Sequence, residues 1–118
     1  MKIVIGGQVE KKEIEALVKQ HGGPDVEVIV KSDLEAAMAL KMGQADYYLG
    51  ACYTGGGGAL AMAIAMVGKS NCTTISMPGH PPTQEKVDQA IAQGAKAFGF
   101  TADHKEKAVE LVMKALTK

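Results

Sequence analysis

The sequence predicts a small doubly wound α/β fold, in which helices cover both faces of a parallel five-stranded sheet. Three observations lead to this prediction. Short apolar runs alternate five times with segments of helical periodicity. Successive strand–helix–strand units use right-handed crossovers and therefore build a parallel sheet. A chain of 118 residues, 47% of them apolar, is enough for one packed domain, expected to span residues 1–118.

The first strand is predicted at Lys2–Ile5, an apolar run that ends at the glycine pair Gly6-Gly7. A helix follows at Glu10–His21, because apolar residues recur there at helical spacing until the breaker Gly22-Gly23-Pro24. The second strand is predicted at Val26–Val30, where β-branched residues dominate. These elements form the first strand–helix–strand unit.

A capping box opens the second helix. Ser32 is the predicted N-cap and Glu35 stands three residues later, so we expect a helix over Ser32–Met42. The third strand is predicted at Asp46–Gly50. A run of four glycines then leads into a third helix, predicted at Gly58–Val67.

The last third of the chain repeats the pattern. Cys72–Ser76 is the predicted fourth strand, and Thr83 is the expected N-cap of a fourth helix that ends at Ala92. Lys96–Phe100 is the predicted fifth strand. A second capping box, with Asp103 as its N-cap and His104 in the first turn, is expected to open the last helix.

The strand order determines where a ligand site would lie. We expect the flavodoxin-like order 2-1-3-4-5, or a related Rossmann-like order, with ligands beyond the carboxyl ends of strands one and three. The connections expected to meet there are Gly6-Gly7-Gln8, Ala51–Gly58 and Met77–Pro82. Thr101–His104 is expected further along the same edge.

The glycine run is the strongest functional feature of the sequence. Glycines that lead from a strand into a helix present several backbone N–H groups to one point, and the helix N-terminus adds partial positive charge. We therefore predict an anion site, while the alternative is that small residues only permit close helix–sheet packing. The predicted ligand-binding residues are Gly7, Gln8, Thr54, Gly55, Gly56, Gly57 and Gly58.

Two residues are candidates for chemistry at this site. Cys52 lies between the third strand and the glycine run, a setting that favours a thiolate. His80 lies in the proline-rich loop PGHPP and is a candidate proton-transfer group, or else a plain loop residue. Cys72 is expected to begin a buried strand, and a Cys52–Cys72 disulfide is left open.

Composition argues against several classes of partner. Thirteen basic and 13 acidic residues balance, only 4% of residues are aromatic, and tryptophan is absent, so nucleic acid is not an expected partner. We expect no membrane segment and no signal peptide, and hence a cytoplasmic protein. The sequence gives no metal-ligand spacing and no well-placed dinucleotide fingerprint, so no cofactor is expected.

Nearly the whole chain resembles a small bacterial family of unknown function, the YhfU-like proteins. The resemblance rests on Met1-Lys2-Ile3, on the block DLEAAMALKMGQADYYLGACYTGGGGALAMAIAMVG, and on CTTISMPG and KAFGF. It supports the predicted fold and brings no established reaction. Members of the family look like cytoplasmic accessory proteins of metabolism, which keeps open a non-catalytic subunit or regulator of a metabolic enzyme.

The segment GACYTGGGGALAMAIAMVG is similar to a motif of type B ribose-5-phosphate isomerases. The similarity implies that Cys52 is a proton-abstracting base, that Thr54 is a donor, and that the four glycines hold an oxyanion. The chain departs from that pattern at Tyr53, has Gly6-Gly7-Gln8 where those enzymes carry an aspartate–histidine pair, and contains no arginine.

The same similarity implies a site at a subunit interface. The apolar helix after the glycine run would suit burial against a second chain, so a homo-oligomer, a dimer or larger, is expected. A third reading is a phosphocysteine carrier resembling a subunit of sugar phosphotransferase systems. The leading expectation is a protein that binds a small anionic metabolite, a sugar phosphate or sugar acid, at residues 51–58.

Overall fold

A computed structural model describes residues 1–53 and 58–117. Five parallel strands form one sheet in the order β2–β1–β3–β5–β4. The strands are β1 (Lys2–Gly7), β2 (Glu27–Val30), β3 (Tyr47–Cys52), β4 (Cys72–Thr74) and β5 (Ala97–Thr101). The predicted fold class, a doubly wound parallel α/β sheet, is confirmed.

The predicted order 2-1-3-4-5 is correct for the first three strands and wrong for the last two, because β5 lies between β3 and β4. Every residue of β5 is buried, whereas β4 has three residues and all of them are partly exposed. A short, half-exposed strand suits the edge of a sheet, and a continuously buried one suits its interior. In the observed strand order, the end of β5 and not the end of β4 lies beside β3.

The helices alternate with the strands as expected. They are α1 (Lys11–Gly22), α2 (Asp33–Lys41), α3 (Ala61–Val67), α4 (Gln84–Ala92) and α5 (Lys105–Leu116), with single 3₁₀ turns at Lys69–Asn71 and Ala102–His104. Two predicted N-caps are confirmed, because the Ser32 and Thr83 hydroxyls accept backbone N–H groups at 3.2 Å, each from the third residue on. Asp103 is not the N-cap, since α5 begins at Lys105 after a 3₁₀ turn.

Two apolar layers cover the sheet. On one face, Ile3, Ile5 and Phe98 pack in one cluster with α1, α4 and α5. On the other, Val4 and Tyr48 pack with α2 and α3. Neighbouring strand residues thus alternate between the layers, as a strand buried on both sides requires. Within the described ranges, we find no helix with the length and apolar character needed to cross a bilayer.

Two strands extend further than predicted, and both extensions bear on the candidate site. Gly6 and Gly7, expected in a turn, are the last residues of β1, and Cys52 ends β3. Gly7 pairs with Ala51 in the sheet register, and Cys52 pairs with Thr101. The carboxyl ends of β1, β3 and β5 therefore lie side by side.

Candidate functional site

The end of β1 needs glycine at its last position. Gly7 has a φ of +76°, and a methyl group on its Cα would lie 2.6 Å from the Ala51 backbone nitrogen. The next residue, Gln8, donates its backbone N–H to the Ala51 carbonyl at 2.9 Å. Only a residue without a side chain lets β1 approach β3 this closely and then turn away.

Gln8 and Gly58 are brought together. A Cβ atom at Gly58 would lie 2.8 Å from the Gln8 Nε2 atom, so the carboxamide rests directly on this glycine. Gln8 is exposed, which leaves its amide able to meet a ligand. Two of the predicted ligand-binding residues therefore share one place at the carboxyl edge, between β1 and β3. The other glycines and the threonine predicted here (Thr54, Gly55, Gly56 and Gly57) lie outside the described residues.

Tyr48 connects three of the segments at this edge. Its buried hydroxyl accepts the Gly7 N–H at 2.8 Å and lies 3.1 Å from the Asp33 Oδ1 atom and 2.9 Å from the Ala59 carbonyl oxygen. Burial, together with the negative charge of Asp33, raises the pKa of the Tyr48 phenol well above its ordinary value. The phenol therefore stays protonated and holds the ends of β1, α2 and the segment before α3 in fixed relation.

Cys52, the predicted base, is the last residue of β3 and is only 2% exposed. Strand alternation puts it on the same face as Tyr48, the face covered by α2 and α3. Cys52 and Cys72 are both free thiols, so the disulfide left open by the sequence is not formed. Burial raises the pKa of the Cys72 thiol, which lies 3.4 Å from the Gly68 carbonyl oxygen.

Sequence reasoning missed a polar chain beside Cys52. Thr101 donates its N–H to the Ser76 Oγ atom at 3.1 Å, and its own Oγ1 atom lies 2.9 Å from the His104 Nδ1 atom. The Asp103 Oδ1 atom lies 3.5 Å from the same ring nitrogen. A hydrogen bond from the Thr101 side chain, aided by the charge of His104, lowers the pKa of the Asp103 carboxyl. The threonine in the segment FTADH was the signal available in the sequence.

An ion pair joins the β1–α1 connection to the start of α5. The Glu10 Oε1 atom lies 2.9 Å from the Lys105 Nζ atom, and Glu10 has a left-handed backbone with a φ of 54°. The hydrogen bond that the Lys105 ammonium group donates to Glu10 raises the pKa of Lys105. A non-glycine residue in this conformation is strained, and such strain often occurs near functional sites.

His80 lies apart from these residues. It closes an exposed turn whose backbone pairs with Met77 at 2.8 and 3.1 Å, and this turn follows β4 at the outer edge of the sheet. The corrected strand order thus puts β5 between His80 and the end of β3. In the part of the chain that the structure describes, no cluster of three or more His, Cys, Asp or Glu residues could hold a metal ion.

These features define a doubly wound α/β protein with polar groups gathered at the carboxyl edge of its sheet, where such folds bind small molecules. The chain belongs to the family described as "Protein of unknown function DUF2620", whose model matches residues 1–116.

Curated relatives agree with this assignment. The chain is 38% identical over 115 residues to the uncharacterized protein YhfU of Escherichia coli strain K12, covering 98% of this chain and 97% of that protein. The same values hold for YhfU of Shigella flexneri. The predicted resemblance to YhfU-like proteins is confirmed.

A solved structure shares the whole fold. The crystal structure of ribose-5-phosphate isomerase B RpiB from Giardia lamblia matches with a TM-score of 0.75, covering 100% of this chain and 95% of that one. The two sequences are 19% identical over the match. This likeness shows a common fold.

Proposed function

We propose that the protein binds a small anionic metabolite, a sugar phosphate or a sugar acid, at residues 51–58, and that Cys52 transfers a proton on it. One observation carries the proposal. Gln8 lies against Gly58, beside the end of the strand that carries Cys52. In the proposed site, an amide donor, the glycine that ends the glycine-rich connection and a thiol would meet the ligand at the switch point between β1 and β3, where doubly wound sheets bind ligands.

The fold likeness supports the class of ligand. The structural neighbour is named for an isomerase of ribose 5-phosphate, and isomerisation of a sugar phosphate needs a base at a carbon next to a carbonyl. This chain contains no arginine, so backbone amides and Gln8 would supply the anion contacts. The 2% exposure of Cys52 suits a base shielded from water better than a phosphocysteine, which a donor protein must reach.

Binding is tested by thermal unfolding in the presence of inorganic phosphate and, separately, of ribose 5-phosphate. A ligand at 100 times its Kd should stabilise the protein by about 2.7 kcal/mol. We expect Gln8→Ala to weaken binding about tenfold, because a hydrogen bond to a charged group contributes about 1.5 kcal/mol. Gln93→Ala, at an exposed glutamine after α4, is the matched control and should bind as the wild type does. Absence of stabilisation by either ligand, or equal binding by both variants, contradicts the site.

A second candidate function, docking onto another protein chain, is favoured by an exposed apolar face. Leu34 and Met38 on α2 and Met62 on α3 are 47%, 42% and 40% exposed, and Met42 after α2 is 63% exposed. α3 is apolar throughout and carries no charged residue. We infer that a second copy of this chain covers the face, which would put two candidate sites near one interface.

The oligomeric state tests this inference. We expect the wild type to sediment as a dimer or larger, and Met38→Glu combined with Met62→Glu to sediment as a monomer, because charged side chains would have to be buried. Met77→Glu is the control, since Met77 is similarly exposed, at 44%, but lies in the turn after β4. A monomeric wild type contradicts self-association and favours the accessory-subunit alternative. An unchanged assembly in the double variant contradicts the assigned face.

A further inference from the structure

Two hydroxyl side chains are buried at the carboxyl edge of the sheet. In the part of the chain that the structure describes, Ser76 and Thr101 are the buried polar residues apart from the phenol of Tyr48, with exposures of 1% and 0%. Burying a hydroxyl is unfavourable unless it is hydrogen-bonded. These two bond to each other, and Thr101 alone also contacts the His104 imidazole.

Hydrogen bonds from Ser76 through Thr101 reach the Nδ1 side of the His104 ring. Ser76 Oγ accepts the Thr101 N–H at 3.1 Å and lies 3.4 Å from Thr101 Oγ1, which contacts His104 Nδ1 at 2.9 Å. The side chain of His104 is 18% exposed. When the ring is protonated, Nδ1–H donates to Thr101, and Nε2 is the nitrogen left to exchange a proton.

The register brings Thr101, the residue that contacts this ring, beside Cys52. Cys52 and Thr101 are direct partners in adjacent strands, and neighbouring strands lie about 4.8 Å apart. Tyr48 of β3 and Ala97 of β5 both pack in the layer formed with α2 and α3. Cys52 and Thr101 lie four residues further along the same two strands, so strand alternation puts them on that same face of the sheet. Thr101, which contacts the imidazole, therefore lies one strand spacing from Cys52 and on the same face of the sheet.

We propose that His104 is the second proton-transfer group of the candidate site, acting with Cys52 on one bound sugar derivative, with Thr101 and Ser76 as its positioning residues. The proposal rests on the proposed function. In this proposal His104 donates protons to and accepts protons from the sugar oxygens, while Cys52 does so at the sugar carbons. A single base cannot serve both kinds of atom at once.

The proton balance closes without a further reactant. The Cys52 thiolate removes the hydrogen from the carbon next to a carbonyl, and that C–H electron pair forms the carbon–carbon double bond of an enediol. The carbonyl oxygen takes the Nε2 proton of the His104 imidazolium. His104 then accepts the proton of the neighbouring hydroxyl as the second carbonyl forms, and the Cys52 thiol returns its proton to the former carbonyl carbon. Both side chains end in their starting states.

Charged and polar side chains of three segments lie around His104. Asp103 faces its Nδ1 side at 3.5 Å. Lys105 is the next residue, but its ammonium group is paired with Glu10 of the β1–α1 connection at 2.9 Å and lies 3.8 Å from Glu106. The segment after β4 contributes the neutral Ser76. The nearest unpaired charge in this set is thus negative.

The test measures how fast methyl methanethiosulfonate modifies Cys52 between pH 5 and 9.5, with peptide mass spectrometry following Cys52 and Cys72 separately in the full chain. An imidazolium beside Cys52 favours the thiolate, so the logarithm of its rate should rise with a shoulder between pH 5 and 8, where histidine titrates. We expect a step of about three- to tenfold in the modification rate. The profile of Cys72 is the internal reference.

His104→Gln should remove the shoulder, and His80→Gln should keep it. Thr101→Val should reduce it while Thr101→Ser, which retains the hydroxyl, should preserve it. The same profile in wild type and His104→Gln overturns the proposal, as does a Cys52 that the reagent modifies at no pH, because a thiol closed to this small molecule is closed to a sugar. The assay uses no ligand, so it is independent of the binding test. A shoulder in the Cys52 profile without anion binding would refute only the proposed function. Anion binding without a shoulder in the Cys52 profile would refute only this inference.

Discussion

Gly7→Ala will destabilise the protein by about 3 kcal/mol. The φ of +76° is unfavourable for alanine by about 1–2 kcal/mol. The added methyl group would also lie 2.6 Å from a backbone nitrogen and 2.8 Å from the Gly50 Cα atom, and overpacking of this kind costs about 1–3 kcal/mol. These are backbone atoms of the central strand β3, so a side-chain rotation does not relieve the overlap. Urea unfolding measures the loss.

Gly43→Ala separates the two contributions. Gly43 has the same φ of +76°, but a methyl group there meets nothing within 4 Å. We expect this variant to lose about 1 kcal/mol, the conformational part alone. Equal losses in the two variants would mean that β1 and β3 are not as close as Gly7 requires. Because the Gly7 N–H also bonds to Tyr48, Gly7→Ala should weaken phosphate binding, whereas Gly43→Ala should not.

Local patterns predicted most elements, because the forces that define them are local. Ser32 and Thr83 cap helices through hydroxyls that reach the third residue on, a geometry visible in the sequence. The positions of β4 and β5 in the sheet are the reverse of those predicted. Which of the two strands lies inside depends on which buries more apolar surface against both helical layers, and this is a property of the assembled sheet. The polarity of CTT against AFGFT was the available clue.

The candidate site also has a part that local sequence patterns predicted and a part that they did not. Glycine spacing and strand ends predicted the region around Gly7, Gln8 and Cys52, because the carboxyl ends of parallel strands meet at one edge. The role proposed for His104 could not be predicted, because Thr101, which contacts its ring, lies next to Cys52 only when β5 is beside β3. Asp103 has the residue type of an N-cap, yet it lies within the 3₁₀ turn at residues 102–104, and α5 begins at Lys105 with His104 at its N-cap position.

Cys52→Ala will slow proton transfer by about 10³-fold, within the range of 10²- to 10⁴-fold that a general base contributes. The measurement is the incorporation of deuterium from heavy water into carbon-bound positions of ribose 5-phosphate and related sugar phosphates, followed by proton NMR. The affinity for phosphate should change by less than about threefold, because backbone amides and Gln8 make the anion contacts in the proposed site. The catalytic role and the binding role of the region are thereby measured separately.

Cys72→Ala is the matched control for that loss. Cys72 is the other free thiol of the chain, it begins β4 at the sheet edge, and burial raises the pKa of its thiol. We expect this variant to exchange deuterium at the wild-type rate. If Cys52→Ala loses phosphate binding as completely as exchange, the thiol is a binding contact and not the base. If Cys52→Ala retains exchange, the carbon-bound proton goes to another group, and His104 becomes the first residue to replace.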